Sequence, residues 1–157
     1  MQKEVVIFWF RRDLRLEDNA GLYRALVSGY PVLPVFIFDV DILKELPRDD
    51  PRLTFIHKQV CQLNASLNRD WQGGVAMYCG TPLEVFKKLT SEWKVREVYS
   101  NRDYEPYARQ RDAAISEYLQ SGGIPFHTSK DQVIYETAEI TKDDGDPYVV
   151  YTPYKNK

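Results

Sequence analysis

Short apolar runs alternate along the chain with segments in which apolar residues recur every three or four positions. The first run, residues 4–10 (EVVIFWF), is nearly continuous and rich in β-branched and aromatic side chains, the pattern of a strand covered on both faces. Asp18 or Asn19 then stands where a helix cap belongs, ahead of Leu22, Ala25 and Leu26 at helical spacing, with Gly29 as the stop. Residues 32–38 (VLPVFIF) form a second buried run, although Pro34 removes a ladder donor and loosens its boundaries. After a loop through residues 39–50, Leu53, Ile56, Val60, Leu63 and Leu67 make one apolar stripe, the clearest helix in the chain.

Gly73-Gly74 separates that helix from a short strand at 75–79, and Gly80-Thr81-Pro82 opens a helix with Leu83, Phe86, Leu89 and Trp93 facing inward. Residues 95–100 (VREVYS) read as a fourth strand. Residues 106–120 read as a helix with Ile115 and Leu119 on its buried side, and Gly122-Gly123 stops it before residues 124–127 begin a fifth strand. Strict alternation of this kind predicts an α/β, Rossmann-like open parallel five-stranded sheet, order 3-2-1-4-5, with helices on both faces.

The rhythm ends near residue 137, which divides the chain into an α/β domain at 1–136 and the start of a connection at 137–157. Tyr148, Val149, Val150, Tyr151 and Tyr154 follow the turn-forming Asp143-Asp144-Gly145-Asp146-Pro147, a density of apolar and aromatic groups that a solvated terminus has no use for. This segment is expected to pack on something, and the chain is expected to be a piece of a longer protein.

Composition removes several classes of function. A net charge of −2 has the wrong sign for a domain whose main work is gripping phosphate backbone. Arg11, Arg12 and Arg15 form the densest basic cluster, with Asp13 and Glu17 beside them as counter-charges, so the cluster reads as a local site. Cys61 and Cys79 lie in apolar segments at a spacing that suits neither a metal nor a disulfide framework, and buried reduced thiols are expected. With His57 and His127 far apart, no metal site is expected. The apolar run after Met1-Gln2-Lys3 is too short and too aromatic for a signal peptide or a membrane span, so a cytoplasmic monomer is the default expectation.

Ligands of open parallel sheets bind beyond the carboxyl ends of the strands, where the connections switch faces. That rule selects Phe10-Arg11-Arg12-Asp13, Phe38-Asp39-Val40-Asp41 and Asn101-Arg102-Asp103-Tyr104-Glu105. None of these loops carries a glycine-rich phosphate fingerprint, so binding must rest on side chains. Asp39, Asp103 and Glu105 can accept from ring N–H or ribityl hydroxyl groups, Arg11 or Arg52 can hold a carbonyl or an anion, and Phe36 and Phe38 offer apolar walls. Plainer readings compete: a salt-bridged loop pinning the first strand to the first helix, phenylalanines in the core, carboxylates at a helix start, and Arg52 on the surface.

Residues 9–19 (WFRRDLRLEDN) closely resemble the opening signature of the DNA photolyase/cryptochrome family. The likeness continues through residues 34–39, 101–107, Arg111-Asp112 and 147–154 (PYVVYTPY), and so spans essentially the whole chain. The resemblance implies the N-terminal α/β domain of a deoxyribodipyrimidine photolyase, able to hold a light-harvesting antenna chromophore. A separate helical domain would bind FAD and UV-damaged DNA, and the α/β domain would have no catalytic residue of its own. Tyr107-Ala108 stand where folate-using bacterial members typically carry Asn-Glu, so the resemblance favours a deazaflavin or flavin antenna over methenyltetrahydrofolate. Position by position it implicates Arg11, Phe36, Ile37, Phe38, Asp39, Arg52, Asp103 and Glu105. An empty pocket, a cryptochrome photoreceptor and a stand-alone nucleotide-binding module remain the alternative readings.

Overall fold

A strand buried on both faces needs a neighbour at each edge and helices above and below, and β1 (Glu4–Phe10) has all four: residues Val5 to Phe10 are buried without a break. The computed structural model, which describes residues 3–136 and 139–157, surrounds β1 with α1 (Ala20–Leu26), β2 (Val32–Asp39), α2 (Val40–Leu43), α3 (Pro51–Trp71), β3 (Ala76–Gly80), α4 (Pro82–Glu92), β4 (Lys94–Asn101), α5 (Pro106–Ser121), β5 (Phe126–Ser129) and α6 (Tyr151–Lys155). The sheet runs β3-β2-β1-β4-β5, every pair parallel, so the predicted fold and strand order hold.

Two cores follow from the period of two along β1. Val5, Ile7 and Trp9 face Val85, Phe86 and Leu89 of α4 and Ile115 and Leu119 of α5. Val6, Phe8 and Phe10 face Leu22 and Ala25 of α1 and Val60 and Leu63 of α3. Pro34 fits inside β2 for a directional reason. Val6 N donates to Pro31 O, so odd-numbered residues of this segment turn their polar groups toward β1 and Pro34 turns its nitrogen to the other edge. Pairing with β3 begins only at Val35, and no ladder donor is missed.

Several expectations are corrected. Strand β5 starts two residues later than predicted, because Gly123 at φ 71° and the donation from Ile124 N to Leu119 O prolong the α5 stop. The loop at 39–50 contains α2, which Asp39 caps by accepting from Asp41 N at 3.0 Å. Leu26 is exposed, since α1 ends there before another turn can cover it. Both cysteines are exposed: Cys61 follows the buried Val60 and points off the stripe, and Cys79 lies on the outer side of edge strand β3, where burial alternates. Val149, Val150 and Tyr151 are also exposed, so among the described residues nothing buries these three side chains of the tail. The division placed between 136 and 137 adjoins residues 137 and 138, which lie outside the described residues, as do Met1 and Gln2.

The loop after β1 is clasped to the end of β4 by side chains. Asn101 donates from Nδ2 to Asp13 Oδ2 at 2.5 Å and to Asn19 Oδ1 at 2.8 Å, and its Oδ1 accepts from Gly21 N at 2.8 Å. Asn19 caps α1 through Leu22 N at 3.0 Å. Gly21 is required here by close approach: a Cβ would sit 2.6 Å from Asn101 Oδ1 and 3.0 Å from the Phe8 ring. The reading of 11–15 as a loop that pins the first strand to the first helix therefore holds, and it fixes where Arg11 and Arg12 emerge.

Candidate functional site

Beyond the carboxyl ends of β1 and β2 the chain encloses a cleft of about 630 Å³. That is ample for a drug-sized or cofactor-sized ligand, for which pockets of roughly 300–1,000 Å³ are usual. β1 gives it Trp9 and the following Arg11 and Arg12, β2 gives Phe36 to Asp39, and α2 gives Asp41, Ile42 and Leu43. The first turns of α3 add Arg52, Leu53 and Ile56, the loop after β4 adds Asp103 and Glu105, and α5 adds Tyr107, Ala108 and Arg111. All eight residues selected from the sequence line this one hollow. The sheet order explains why, since β1 is the strand at which the connections change direction.

Lining a cleft and being free to bind are different properties. Arg11, with only 7% of its side chain exposed, is consumed by the fold. It grips both oxygens of Asp112 through Nη1, at 2.6 and 2.5 Å, while Nη2 donates to Ser100 Oγ and Asn101 O. Burial pushes the Arg11 guanidinium below its ordinary pKa, and the Asp112 carboxylate pulls it back up. Phe36 and Ile37 are buried on opposite faces of β2 and complete the two cores while showing an edge to the cleft. Phe38 stands at right angles, roughly, to Phe36, with ring centroids 4.9 Å apart.

The carboxylates are already engaged. Asp39 is buried and accepts from Tyr107 Oη at 2.6 Å across the cleft. Arg12, beside the loop clasp, reaches Glu105 at 3.2 Å and Asp103 at 3.7 Å. Glu105 is the N-cap residue of α5 but makes no side-chain capping bond; Asp103 accepts from the Glu105 N–H instead, at 3.3 Å. Arg52 is 70% exposed on its side chain and is tied to Asp50, so it stands at the rim. The exposed, mutually paired rim groups are the ones a ligand can re-pair at small cost.

Sequence reasoning passed over Trp9, Arg12, Tyr107 and Arg111 as site residues. Tyr107 and Arg111 stand four apart just inside a Pro-initiated helix, which places them on one face, and that spacing was the available signal. Trp9 reads as core, and it is core: it is 2% exposed and meets Phe86 edge to face at 5.1 Å, but its other side floors the cleft. The apolar walls, the polar rim and the volume fit a flat heterocycle with hydrogen-bonding edges.

Three tyrosines, the buried Tyr99, the half-buried Tyr104 and the more open Tyr107, face carboxylates, and all have raised pKa values. Burial and then the Glu97 carboxylate push Tyr99 up to about 12, burial and Glu136 push Tyr104 up to about 12, and burial and Asp39 raise Tyr107 as well. A phenol that holds its proton more tightly in the fold than at its ordinary value near 10 contributes stability below pH 10, and loses it as pH rises through the folded value. The stability difference between the wild type and Tyr107→Phe is therefore expected to narrow from about pH 10 upward. Urea unfolding across alkaline pH measures it, and a pH-independent difference would show that the phenol–Asp39 bond contributes nothing of this kind.

The architecture defines a Rossmann-like α/β domain with a side-chain-lined cleft at its topological switch point. Residues 6–157 match the family model described as DNA photolyase, and the chain belongs to that family. Among curated relatives it is 31% identical over 151 residues to the deoxyribodipyrimidine photo-lyase of Synechococcus sp., a match covering 95% of this chain and 31% of that protein. The crystal structure of a bacterial class III photolyase from Agrobacterium tumefaciens superposes with a TM-score of 0.81 at 31% identity, over 98% of this chain and 31% of the other. An archaeal photolyase from Sulfolobus tokodaii, described with two FAD molecules and a novel light-harvesting cofactor, gives 0.76 at 30% identity over 88% of this chain and 32% of the other. Cryptochromes are matched too, at 28% identity for Cryptochrome-2 of Gallus gallus, with 95% of this chain and 26% of that protein covered. The chain thus spans about a third of these relatives' length.

Proposed function

We propose that this chain is the light-harvesting α/β portion of a deoxyribodipyrimidine photolyase, which repairs cyclobutane pyrimidine dimers in DNA using light. Its cleft holds an antenna pigment of the flavin or deazaflavin type. The observation that carries the reading is the convergence of Arg11, Phe36, Ile37, Phe38, Asp39, Arg52, Asp103 and Glu105 on one cleft of about 630 Å³. The two FAD molecules described for the Sulfolobus tokodaii photolyase support a flavin as a class of occupant. When bound, such a pigment supplies absorption of light and transfer of excitation. The chain's own part is to orient the ring between Phe36, Phe38 and Trp9 and to exclude water from it.

In this reading residues 1–136 form the antenna domain, and 137–157 begin the connection to a helical domain that binds FAD and UV-damaged DNA. The net charge of −2 supports assigning DNA contact to that second domain. Photolyase is preferred to cryptochrome because the photo-lyase relatives reach 31% and 32% identity, against 28% for Cryptochrome-2.

Titration of the purified chain with riboflavin, FMN, FAD, a 5-deazaflavin, methenyltetrahydrofolate and ATP, followed by pigment fluorescence and by competition, tests the proposal. Binding of a flavin or deazaflavin with no response to folate is the expected result. Binding of ATP alone would instead indicate a nucleotide-binding module, and binding of none of them would leave the cleft without the proposed role.

A further inference from the structure

The inner end of the cleft holds a buried cation with an unused donor. Arg111, on α5, has 8% of its side chain exposed. Its Nε and Nη2 both donate to Asp112 Oδ1, at 3.1 and 3.0 Å, and its Nη1 has no acceptor among the described residues. The neighbouring Arg11 differs, because both of its terminal nitrogens are taken up by Asp112, Ser100 and Asn101.

The two guanidinium groups share one carboxylate, and each lies 4.9 Å from the centroid of the Trp9 ring. Arg111 is also 5.8 Å from the Tyr107 ring, so it is held between two aromatic side chains. Burial is the main cause that lowers the pKa of Arg11, and the nearby charge of Arg111 adds to it against the opposing carboxylates of Asp112 and Asp13. Among the described residues no buried side-chain polar atom lacks a partner, so the Arg111 Nη1 donor is open to the cleft and its water, and a ligand acceptor delivered there takes the place of that water against the aromatic walls. The outer end is of opposite character, with Glu105 64% exposed and paired, among the described residues, with the similarly open Arg12.

Resting on the pigment reading above, we propose that Arg111 is the inner anchor of the cleft. Its Nη1 donates to a carbonyl or anionic oxygen on the leading edge of the ring, so the ligand enters with an acceptor-rich edge first. The pyrimidinedione edge shared by flavins and 5-deazaflavins has that chemistry, and it leaves a hydroxyl-bearing tail at the carboxylate rim. Arg111 thus sets both the orientation of the ligand and its class, and a flat hydrocarbon or a donor-edged ring of equal size is disfavoured.

The test uses the full chain as wild type, Arg111→Gln and Arg111→Lys, with riboflavin and its 5-deaza analogue as probes, since neither carries a phosphate. Fluorescence titration gives affinities, and infrared spectra give the carbonyl stretch of the bound ring. Arg111→Gln is expected to weaken binding by roughly 10- to 100-fold and to move the carbonyl band to higher frequency. Arg111→Lys, which keeps the charge without the planar fork, is expected to fall between. Equal affinity and an unmoved band in both variants would overturn the anchor while leaving the pigment reading intact. Failure of the wild type to bind either ring would remove the pigment reading, and the anchor with it. Should Arg111→Gln not fold, the wild type decides alone: a bound carbonyl band at or above its position in water overturns the proposal.

Discussion

Replacing Asp112 with alanine is expected to destabilise the fold by about 3–5 kcal/mol, the usual loss when one partner of a buried ion pair is removed. Asp112 is the carboxylate between Arg11 and Arg111, whose side chains are 7% and 8% exposed, so its loss strands two guanidinium groups in one buried site. The consequence reaches beyond α5. Arg11 links the end of β1 to α5 through Asp112 and to β4 through Ser100 and Asn101, and an unneutralised Arg11 no longer closes that corner of the sheet. Urea unfolding measures the effect, and its insensitivity to added salt separates a buried pair from a surface one. Asp70→Ala, which breaks an exposed pair with Arg69, provides the contrast and is expected to change stability by less than about 1 kcal/mol. A loss below about 1 kcal/mol for Asp112→Ala would mean that the two arginines find other compensation and that the charge count of this corner is wrong.

The strands and the stripe of α3 were legible because a period of two or of three and four survives any detail of the loops, and the order of the sheet followed from handedness. What failed to show was structure decided by one or two residues. Nothing periodic marks α2, which exists because Asp39 caps four residues. The cysteines were misjudged because an apolar neighbourhood in sequence says little about which side of a helix or an edge strand a side chain leaves. At the site, the topological rule brought the three loops together correctly, but it cannot tell a free side chain from an engaged one. Arg11 looked like a ligand arm and is bound on four sides by the fold, whereas Arg111, inside a helix, kept a free donor. That distinction depends on partners 89 and 101 residues away in sequence, and no local pattern carries it.

Trp9→Ala is expected to cost about 3–5 kcal/mol as well, for a different reason. The ring is 2% exposed, packs edge to face on Phe86, and carries a guanidinium 4.9 Å from its centroid on behalf of both Arg11 and Arg111. Its removal empties part of the core on the α4 and α5 side and opens that void into the cleft, where water can enter. Water reaching the two arginines changes the outcome of the first substitution, because guanidinium groups that are hydrated no longer need Asp112 as strongly. The double variant Trp9→Ala with Asp112→Ala is therefore expected to lose less than the sum of the single losses, by roughly 0.5–3 kcal/mol. Measuring the cycle in the presence of a stabilising osmolyte such as sucrose keeps all four proteins folded. Simple additivity would show that Trp9 supports the core without screening the arginine pair, and the view of the cleft floor as one electrostatic unit would then be wrong.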